Sequence, residues 1–349
     1  MKILITGNMG YIGPHVVRQL HKSFPEATLI GYDMAYFAAS LTNAVTIPER
    51  DLTAQYFGDV RTITEKTLKD VDVVIHLSAI SNDAMGNRFE KVTMDVNHLA
   101  GIRLASMAKE AGAKAFIFAS SCSMYGSADG TAKTESSPLN PLTAYARSKV
   151  ASEVDLKCLA DENFTVTCLR FATACGMSPR LRLDLVLNDF VAGAVTSGSI
   201  DILSDGSPWR PLIHVKDMAR AIDWAVTRKA DNGGQFLAVN AGSNEWNYQV
   251  RDIANAVVNC IPGITVKLNH DALPDKRSYK VNFDLFAQLA PMHQPLYTLD
   301  KAVAELQSGL KAMKFDNADF RESLFMRLKL LVNLQEEKYL DQELEWTSN

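Results

Sequence analysis

The stretch ILITGNMGYIGPHVV, residues 3–17, joins a short apolar run to a helical pattern through three glycines. They fall where a strand must turn sharply into a helix. Glycines at such a turn allow a tight bend, the close approach of a pyrophosphate and close packing of the helix on the strand. The amino terminus of the helix then faces the phosphates. The stretch therefore predicts a β-α unit that binds a dinucleotide. The turn residues expected to contact this cofactor are Gly7, Met9, Gly10, Tyr11, Ile12 and Gly13.

An acidic residue ends the next predicted strand, TLIGYD at 28–33. Asp33 lies 20 residues beyond Gly13. An acid at this distance accepts hydrogen bonds from the adenosine ribose hydroxyls and repels a 2′-phosphate. Neither Met34 nor Ala35 is basic, so the sequence favours NAD over NADP as the cofactor.

The GDV stretch at 58–60 follows a plausible third strand. Asp59 can accept a hydrogen bond from the adenine amino group while Val60 packs on the ring. Taken alone, the pattern fits a turn acid and a core valine equally well. Both interpretations stay open at this point.

Strand-like apolar runs alternate with helical patterns along the chain. The runs are 2–6, 28–33, 71–79, 113–121 and 164–172, and the main helical patterns are 92–111 and 142–160. This alternation predicts an α/β fold of the Rossmann type with a doubly wound parallel sheet. We expect residues 1–175 to form the NAD-binding domain, with 213–242 returning to it. Residues 176–212 and 243–349 are expected to form a smaller C-terminal substrate-binding lobe and a closing helix. The apolar stripe that predicts this helix comprises Phe320, Leu324, Leu328, Leu331 and Leu334.

The composition excludes several classes of function. The 349 residues are 47% hydrophobic and 22% charged with a net charge of -4, which gives no electrostatic basis for binding nucleic acid or an acidic membrane surface. No apolar run is long enough to span a bilayer, and the N-terminus enters a strand rather than a signal peptide. The five cysteines include no CxxC pair, so we expect reduced thiols in the cytoplasm and neither disulfides nor a metal site.

The hydroxyl-rich stretch SSCSMYG, residues 120–126, follows the fourth strongly apolar run. AYARSK then places Tyr145 and Lys149 four residues apart, on one face of a helix. A tyrosine in water loses its proton at about pH 10. A lysine ammonium one turn away, together with the positive ring of an oxidised nicotinamide, would lower this value. Because ligands bind at the carboxyl edge of open α/β sheets, we interpret Tyr145 as an acid–base group there.

The chain resembles the extended short-chain dehydrogenase/reductases that act on nucleotide sugars. The motifs that carry the resemblance are TGNMGYIG, the acid at 33, GDV, HLSA at 76–79, Asn97, SSCSMYG, YARSK, LRFATACG and PWRPLIHVKDMARA. The resemblance implies that Ser121, Tyr145 and Lys149 form a catalytic triad, in which Ser121 holds the sugar hydroxyl that is oxidised. The residues that it places on the cofactor side are Leu77, Ser78, Ala79 and Asn97.

The resemblance also implies a substrate site and an assembly. Asn188, Arg210 and Arg277 would hold the nucleotide diphosphate of the substrate, by match to NDF, to WRPLIHV and to the arginine before the final sheet strand. Ordinary surface ion pairs are the alternative interpretation of the two arginines. Members of the family usually dimerise through the helices that correspond here to 92–111 and 142–160, which implies a homodimer.

The SSCSMYG stretch carries no acid, and this bears on the reaction. Family members that dehydrate or decarboxylate carry an acid where this chain has Cys122 and Ser123, because a leaving hydroxyl needs a proton donor. The 4,6-dehydration of a nucleotide sugar is therefore disfavoured. We expect C4 epimerisation through a transient 4-keto sugar. Net oxidation by a 4-dehydrogenase is the close alternative, because SPRLRLDLVLNDF and PDKRSY resemble a branch that includes GDP-heptose 4-dehydrogenases.

Several positions depart from the family pattern or stay open. Thr173 replaces the familiar asparagine of the LRxxNxxG loop, and HLSA replaces HLAA. Asp83 and Asn82 either touch the sugar or are solvated loop residues. Ser123 and Thr173 are assigned to the substrate side with them. A non-catalytic NAD sensor is the rival function from another class, although such a protein need not retain the serine, tyrosine and lysine.

Overall fold

The computed structural model of the protein describes residues 1–42, 47–269 and 277–347. Its strands are β1 (Lys2–Thr6), β2 (Thr28–Asp33), β3 (Ala54–Phe57), β4 (Val73–His76), β5 (Ala115–Ser121), β6 (Ser127–Lys133), β7 (Thr165–Phe171), β8 (Thr173–Cys175), β9 (Ser199–Ile202), β10 (Trp209–His214), β11 (Phe236–Ala241), β12 (Asn247–Gln249), β13 (Thr265–Leu268) and β14 (Ser278–Val281). Its helices are α1 (Gly13–Ser23), α2 (Glu65–Leu68), α3 (Asp83–Arg88), α4 (Glu90–Met94), α5 (Ala100–Glu110), α6 (Ala144–Leu159), α7 (Val186–Ser197), α8 (Val215–Thr227), α9 (Val250–Cys260), α10 (Asp284–Leu289), α11 (Leu299–Ala312) and α12 (Arg327–Glu336). A π-helical turn, Asp95–Leu99, joins α4 to α5.

Seven strands form one parallel sheet in the order β11-β7-β5-β4-β1-β2-β3. The chain builds β1, β2 and β3 in one direction, then crosses back over β1 to add β4, β5, β7 and β11 in the other. This is the doubly wound order that the alternation of strands and helices predicts, so the predicted fold class is confirmed. The reversal between β1 and β4 opens a crevice at the carboxyl ends of the strands, where ligands bind in such sheets.

Both faces of this sheet are covered, which explains its continuous apolar strands. Along β1, Ile3 and Ile5 point into a core that includes α1 and α8, while Leu4 points into the opposite core with residues of α5 and α6. Strands β4 and β5 alternate between the two cores in the same way. The sheet therefore holds its carboxyl edge on a support that is packed on both sides.

The predicted elements match the observed ones with instructive exceptions. The strands at 2–6 and 28–33 have the predicted bounds, whereas the run at 71–79 forms a strand only at Val73–His76. The helical pattern at 92–111 contains the π-helical turn, and the pattern at 142–160 forms α6. The residues after His76 leave the sheet, because they line the central cavity described below.

The expected closing helix in the tail is shorter than its apolar stripe. Within 316–345, the only α-helix is α12, which ends at Glu336. Lys338 and Leu344 then adopt positive φ angles of 63° and 56°, which an α-helix cannot accommodate. Leu344 is nevertheless buried in the core beside the sheet. The tail therefore packs on the body of the same chain as a helix followed by an irregular segment.

Smaller sheets lie beyond the large one. Strand β10 pairs in parallel with β8 and antiparallel with β12, and β9 pairs with β13. Helices α7, α9 and α11 surround these strands with a third apolar core. The division of the chain into a cofactor domain and a substrate lobe stays a prediction. Among the described residues, no helix is both long enough and apolar enough to cross a bilayer.

Candidate active site

A central cavity of about 850 Å³ lies at the carboxyl edge of the large sheet. Residues that end or follow five strands line it, namely Gly7, Asp33, Leu77, Ser121 and Ala172. The sheet therefore brings together segments that are distant in sequence. Ten of the predicted cofactor residues line this cavity: Gly7, Gly10, Tyr11, Ile12, Asp33, Asp59, Val60, Leu77, Ser78 and Ala79.

The glycine turn leaves room for a phosphate. Gly7 has a φ of 76°, and a Cβ atom there would lie 2.4 Å from the backbone nitrogen of Ser78. A Cβ atom on Gly13 would lie 1.9 Å from the carbonyl oxygen of Asn8. A Cβ atom on Gly10 would meet only the Gly7 oxygen, at 3.2 Å, and Gly10 lines the cavity. Gly7 and Gly13 thus permit close packing, while Gly10 borders the open space that a pyrophosphate needs.

The carboxylate of Asp33 is fixed by backbone amides of its own surroundings. It accepts hydrogen bonds from the nitrogen atoms of Met9, at 2.9 Å, and Ala35, at 2.7 Å. Burial raises its pKa, and the two amide hydrogen bonds oppose this. Met9 and Gly13 do not border the cavity, so the expectation that they contact the cofactor directly needs correction: Met9 contributes its backbone amide, and Gly13 contributes close packing. The acid therefore lines the cavity in a set orientation, as a ribose-binding acid requires.

Asp59 and Val60 also border the cavity, in different ways. The Asp59 carboxylate forms an ion pair with Arg61, with an oxygen–nitrogen distance of 2.6 Å. Val60 is buried in the core beside α5. The positions of the two residues are therefore compatible with both interpretations of GDV. They can contact the adenine, or they can be a turn acid and a core valine.

Asn97 is placed behind the cavity wall rather than on it. Its side chain accepts a hydrogen bond from the Ile80 nitrogen at 2.7 Å, and donates to the Ile80 oxygen and to Ser148 Oγ, both at 3.1 Å. Ser148 in turn donates to the carbonyl oxygen of Tyr145 at 2.7 Å. The expectation that Asn97 lines the cofactor side needs correction, because its amide is used to join the loop after β4 to α6.

The structure brings Ser121, Tyr145 and Lys149 together. All three line the cavity, Ser121 is close enough to Tyr145 to lower the pKa of the phenol, and Ser121 donates to Ser123 Oγ at 2.9 Å. Lys149 Nζ donates to the Ala119 oxygen at 2.7 Å and lies 5.7 Å from the centre of the Tyr145 ring. Helix α6 begins at Ala144, one residue before Tyr145, and its N-cap Thr143 accepts from the Ala146 nitrogen at 3.1 Å.

Burial controls the protonation of this group. It raises the pKa of Tyr145 to about 12, against the opposing effect of the hydrogen bond with Ser121. Burial also lowers the pKa of Lys149 to about 7, so this amine is largely neutral just above that pH. The expected lowering of the tyrosine pKa by Lys149 is therefore not seen in the polypeptide. Of the two positive charges that were expected to lower the tyrosine pKa, only that of an oxidised nicotinamide remains.

Cys122 packs below the site instead of facing it. Its side chain is fully buried, its sulfur donates to the Arg170 oxygen at 3.0 Å, and burial raises its pKa. Beneath it, Arg170 and Glu153 form a buried ion pair at 2.6 Å, and Ser120 donates to Glu153. The nearby carboxylate of Glu153 is thus committed to an arginine and does not line the cavity.

The predicted substrate residues separate into two groups. Ser123, Asp83, Thr173, Arg210 and Arg277 line the cavity, with an ion pair of 2.9 Å between Asp83 and Arg277. Asn188 is fully buried and does not line it. Its amide accepts from the Gly176 nitrogen and donates to Tyr11 Oη and to the Arg182 oxygen, at 2.9–3.0 Å. Direct contact of Asn188 with a diphosphate is therefore contradicted.

Sequence reasoning missed a buried ion pair in the cavity wall. Arg182 donates to both carboxylate oxygens of Asp184, at 2.7 and 2.9 Å, and to Ser81 Oγ at 3.0 Å. Asn82 donates to the same carboxylate at 2.7 Å. The signal was present in RLRLD at 180–184, where charged residues alternate with leucines whose side chains are fully buried.

Comparison with known proteins agrees with this site. A model of the NAD dependent epimerase/dehydratase family matches residues 3–242. The chain is 30% identical over 254 residues to a Bacillus subtilis (strain 168) protein named as an uncharacterized UDP-glucose epimerase, YtcB, covering 70% of this chain and 78% of that protein. It is 26% identical over 273 residues to human dTDP-D-glucose 4,6-dehydratase, covering 74% of each. The Bacillus cereus UDP-glucuronic acid 4-epimerase with UDP-glucuronic acid and NAD shares the fold, with a TM-score of 0.76 and 22% identity, covering 90% of this chain and 100% of that one.

The family match covers both the glycine turn and the Ser121, Tyr145 and Lys149 group. NAD is the cofactor of this family, and the open space beside Gly10 and the fixed carboxylate of Asp33 fit it. The protein is thus an NAD-dependent enzyme of the extended short-chain dehydrogenase/reductase type. It belongs to the NAD dependent epimerase/dehydratase family.

Proposed function

We propose that the protein is a nucleotide-sugar C4 epimerase that works through a transient 4-keto sugar. The observation that carries the proposal is the convergence of Ser121, Tyr145 and Lys149 on one cavity wall, beside a stretch that carries no acid. This arrangement supplies a proton shuttle without a proton donor for a leaving hydroxyl. Epimerisation needs only the first of these.

When bound, NAD would supply hydride transfer at C4, in which the hydride leaves the sugar and is returned to the opposite face of its ring. Tyr145 accepts the proton of the C4 hydroxyl and later gives it back. Ser121 holds that hydroxyl and the phenol in one hydrogen-bonded line. Lys149 lies one turn beyond Tyr145 on α6. Its amine donates to the Ala119 oxygen, and this hydrogen bond fixes the amine close to the phenol ring. The high pKa of Tyr145 makes its phenolate a strong base, and the positive charge of an oxidised nicotinamide would favour that ionised form.

On the substrate side, we assign the diphosphate to the guanidinium groups of Arg210 and Arg277. Both line the cavity, and Arg277 is oriented by the carboxylate of Asp83, which also accepts from Thr143 Oγ1 at 2.6 Å. Guanidinium groups suit phosphate oxygens because they donate two parallel hydrogen bonds. Ser123 and Thr173 also line the cavity, and we assign them to the sugar. The relative named as a UDP-glucose epimerase supports a nucleotide-linked hexose as the substrate.

Net oxidation by a 4-dehydrogenase is the second candidate. The RLRLD stretch, whose resemblance first suggested it, forms the wall opposite the catalytic group and thus shapes the sugar site. A 4,6-dehydratase is less favoured despite the human relative with that name. Cys122 points into the core, and Ser123 is no acid, so the proton donor for dehydration is absent from this stretch.

We further propose that the protein is a cytoplasmic homodimer. Leu99 of the π-helical turn and Val154 of α6 are exposed by 57% and 60%, on neighbouring helices. Apolar side chains exposed on adjacent helices favour association with a second copy of the same surface. The free thiols of all five cysteines agree with a reducing compartment.

The test is to strip the purified protein of nucleotide and offer it a panel of nucleotide sugars with a catalytic amount of NAD. We expect NMR to show interconversion of C4 epimers without accumulation of NADH. Stoichiometric NADH would select the dehydrogenase, and a product lacking one water would select the dehydratase. No turnover of any sugar, with NAD binding intact, would favour the sensor.

A further inference from the structure

Arg327, the first residue of α12, is a buried cation that faces the cavity. Its side chain is 1% exposed and it lines the cavity wall. It donates to Ser40 Oγ and to the Arg180 oxygen, each at 3.0 Å, and its guanidinium lies 3.9 Å from the centre of the Phe37 ring. All these partners are neutral. Within the described residues, no carboxylate lies within ion-pair distance of Arg327.

Two other buried arginines near Arg327 show what is unusual about it. Arg180 pairs with Glu49 at 2.8 Å, and Arg182 pairs with Asp184 at 2.7 Å. Burial, together with the charge of Arg182, lowers the pKa of Arg327 to about 9. An arginine normally keeps a pKa above about 12. A buried charge without a partner is costly, so a wall that retains one must receive its anion from the cavity.

The surroundings of Arg327 indicate which anion this is. Phe37 and Ser40 belong to the segment that follows Asp33, and Arg180 belongs to a loop that contacts the glycine turn through Ser178, which donates to the Tyr11 oxygen at 2.7 Å. Arg327 therefore lies on the cofactor side. The arginines assigned to the substrate diphosphate, Arg210 and Arg277, come from other segments of the wall.

We propose that Arg327 binds the diphosphate of NAD, opposite the glycine turn. The dinucleotide would then be held between backbone groups near Gly10 and a guanidinium supplied by α12. This helix lies beyond the part of the chain that the family model matches, residues 3–242. It is anchored in the core by Leu331, which is fully buried. The C-terminal segment thus completes the cofactor site that the amino-terminal motif begins.

Calorimetric titration of Arg327→Gln with a ligand series tests this. The probes are NAD, ADP-ribose, adenosine and UDP. Loss of a charge-assisted contact predicts NAD and ADP-ribose binding weaker by about 10- to 100-fold. Adenosine, which lacks the diphosphate, and UDP, which reports the substrate side, should bind as they do to the unaltered protein. Arg220→Gln, a change on α8 outside the cavity, is the matched control and should leave all four affinities unchanged.

Two outcomes would overturn the proposal. An equal loss of NAD and adenosine binding would show a structural role, and a selective loss of UDP binding would place Arg327 on the substrate side. If Arg327→Gln does not fold, Arg327→Lys keeps the charge but loses the planar fork, and the same selective loss is expected at a smaller size. Unselective loss in that variant would equally contradict the proposal. The inference rests on the NAD cofactor and not on C4 epimerisation, so the two can fail independently.

Discussion

The two walls of the cavity are built by different means. The cofactor wall, defined as Gly7–Gly13, Asp33 and Leu77–Ala79, consists of backbone at the ends of neighbouring parallel strands. The substrate wall, defined as Asp83, Arg182, Asp184 and Arg277, consists of ion pairs and hydrogen bonds between distant segments. Asp83 and Arg277 are 194 positions apart, and Ser81 and Arg182 are 101 apart.

This difference indicates which changes each wall tolerates. In the cofactor wall, the identity of most side chains matters little, but an added Cβ atom at Gly7 or Gly13 collides with backbone. In the substrate wall, charges hold the shape, so removing one partner leaves the other without compensation, at the highest cost in the largely buried pair of Arg182 and Asp184. Substrate preference can therefore change by exchanging pairs of residues, while the cofactor stays the same.

The largest effect is expected at Tyr145, where the two walls meet. Tyr145→Phe removes the proton shuttle but keeps the ring that packs in the wall. Turnover should fall by about 10³-fold, within the range of general acid–base catalysis, while NAD binding is retained. The control is Tyr339→Phe, a change of an exposed tyrosine in the tail. Turnover near the wild-type rate in Tyr145→Phe would remove the basis of the proposed mechanism.

Breaking the substrate wall should cost stability. Arg182→Gln leaves the buried Asp184 carboxylate with Asn82 as its remaining donor, and we expect a loss of about 3 kcal/mol in urea unfolding. The double variant Arg182→Gln, Asp184→Asn removes both charges and should recover part of this loss. NAD affinity should not change in either protein. A double variant less stable than the single one would show that the pair is not the source of the effect.

Two glycines of the cofactor wall are expected to have different roles, Gly13 in packing and Gly10 in binding NAD. Gly13→Ala forces a Cβ atom against the Asn8 oxygen, so we expect it to destabilise the protein by about 2 kcal/mol, as overpacking does. Gly10→Ala meets only the Gly7 oxygen and should leave the melting temperature within a few degrees, while it weakens NAD binding. Thermal unfolding with and without NAD measures both. Equal destabilisation by the two changes would contradict this division.

The last effect is absent at neutral pH and appears only on acidification, because it concerns a group that must stay neutral. His76, at the end of β4, is buried, shares a hydrogen bond of 2.7 Å with Thr6, and has its pKa lowered to about 3 by burial. Its folded pKa is below its unfolded value of about 6.5, so its contribution to stability is present above that pH and is lost as the pH falls towards 3. The cofactor wall thus depends here on an uncharged group, whereas the substrate wall depends on charged ones.

We expect wild-type stability to fall relative to that of His76→Gln by about 1.4 kcal/mol per pH unit between pH 6 and pH 4. The comparison with the variant is essential, because His15 has a similarly lowered pKa of about 3 and adds its own slope. His21→Gln, a change of an exposed histidine on α1, is the control. Parallel stability curves for wild type and His76→Gln would show that His76 is not the titrating group.

The sequence predicted the cofactor wall well because the wall is local. Strand periodicity, the glycine spacing and the four-residue interval from Tyr145 to Lys149 are all contained in short stretches. Arg182 and Arg327 could not be assigned, because their roles depend on contacts across the fold. Asn188 was assigned wrongly, since a motif match gives the position of a residue but not the direction of its side chain. The pKa of Lys149 depends on burial, which sequence does not record.

The π-helical turn between α4 and α5 makes the support of the catalytic helix α6 depend on the exact number of residues in the neighbouring helix. Within it, the carbonyl oxygen of Asn97 accepts a hydrogen bond from Ser152 at 3.1 Å, in addition to the side-chain bonds that join Ile80 to α6. Turns of this kind are wider than an α-helical turn and recur at functional sites. Deleting His98 would let this segment close as a regular α-helix, whose narrower turn would withdraw Asn97 from its hydrogen bonds with Ile80 and Ser152. A single-codon deletion on this outward-facing helix should therefore inactivate the enzyme, although no residue that touches the sugar is lost.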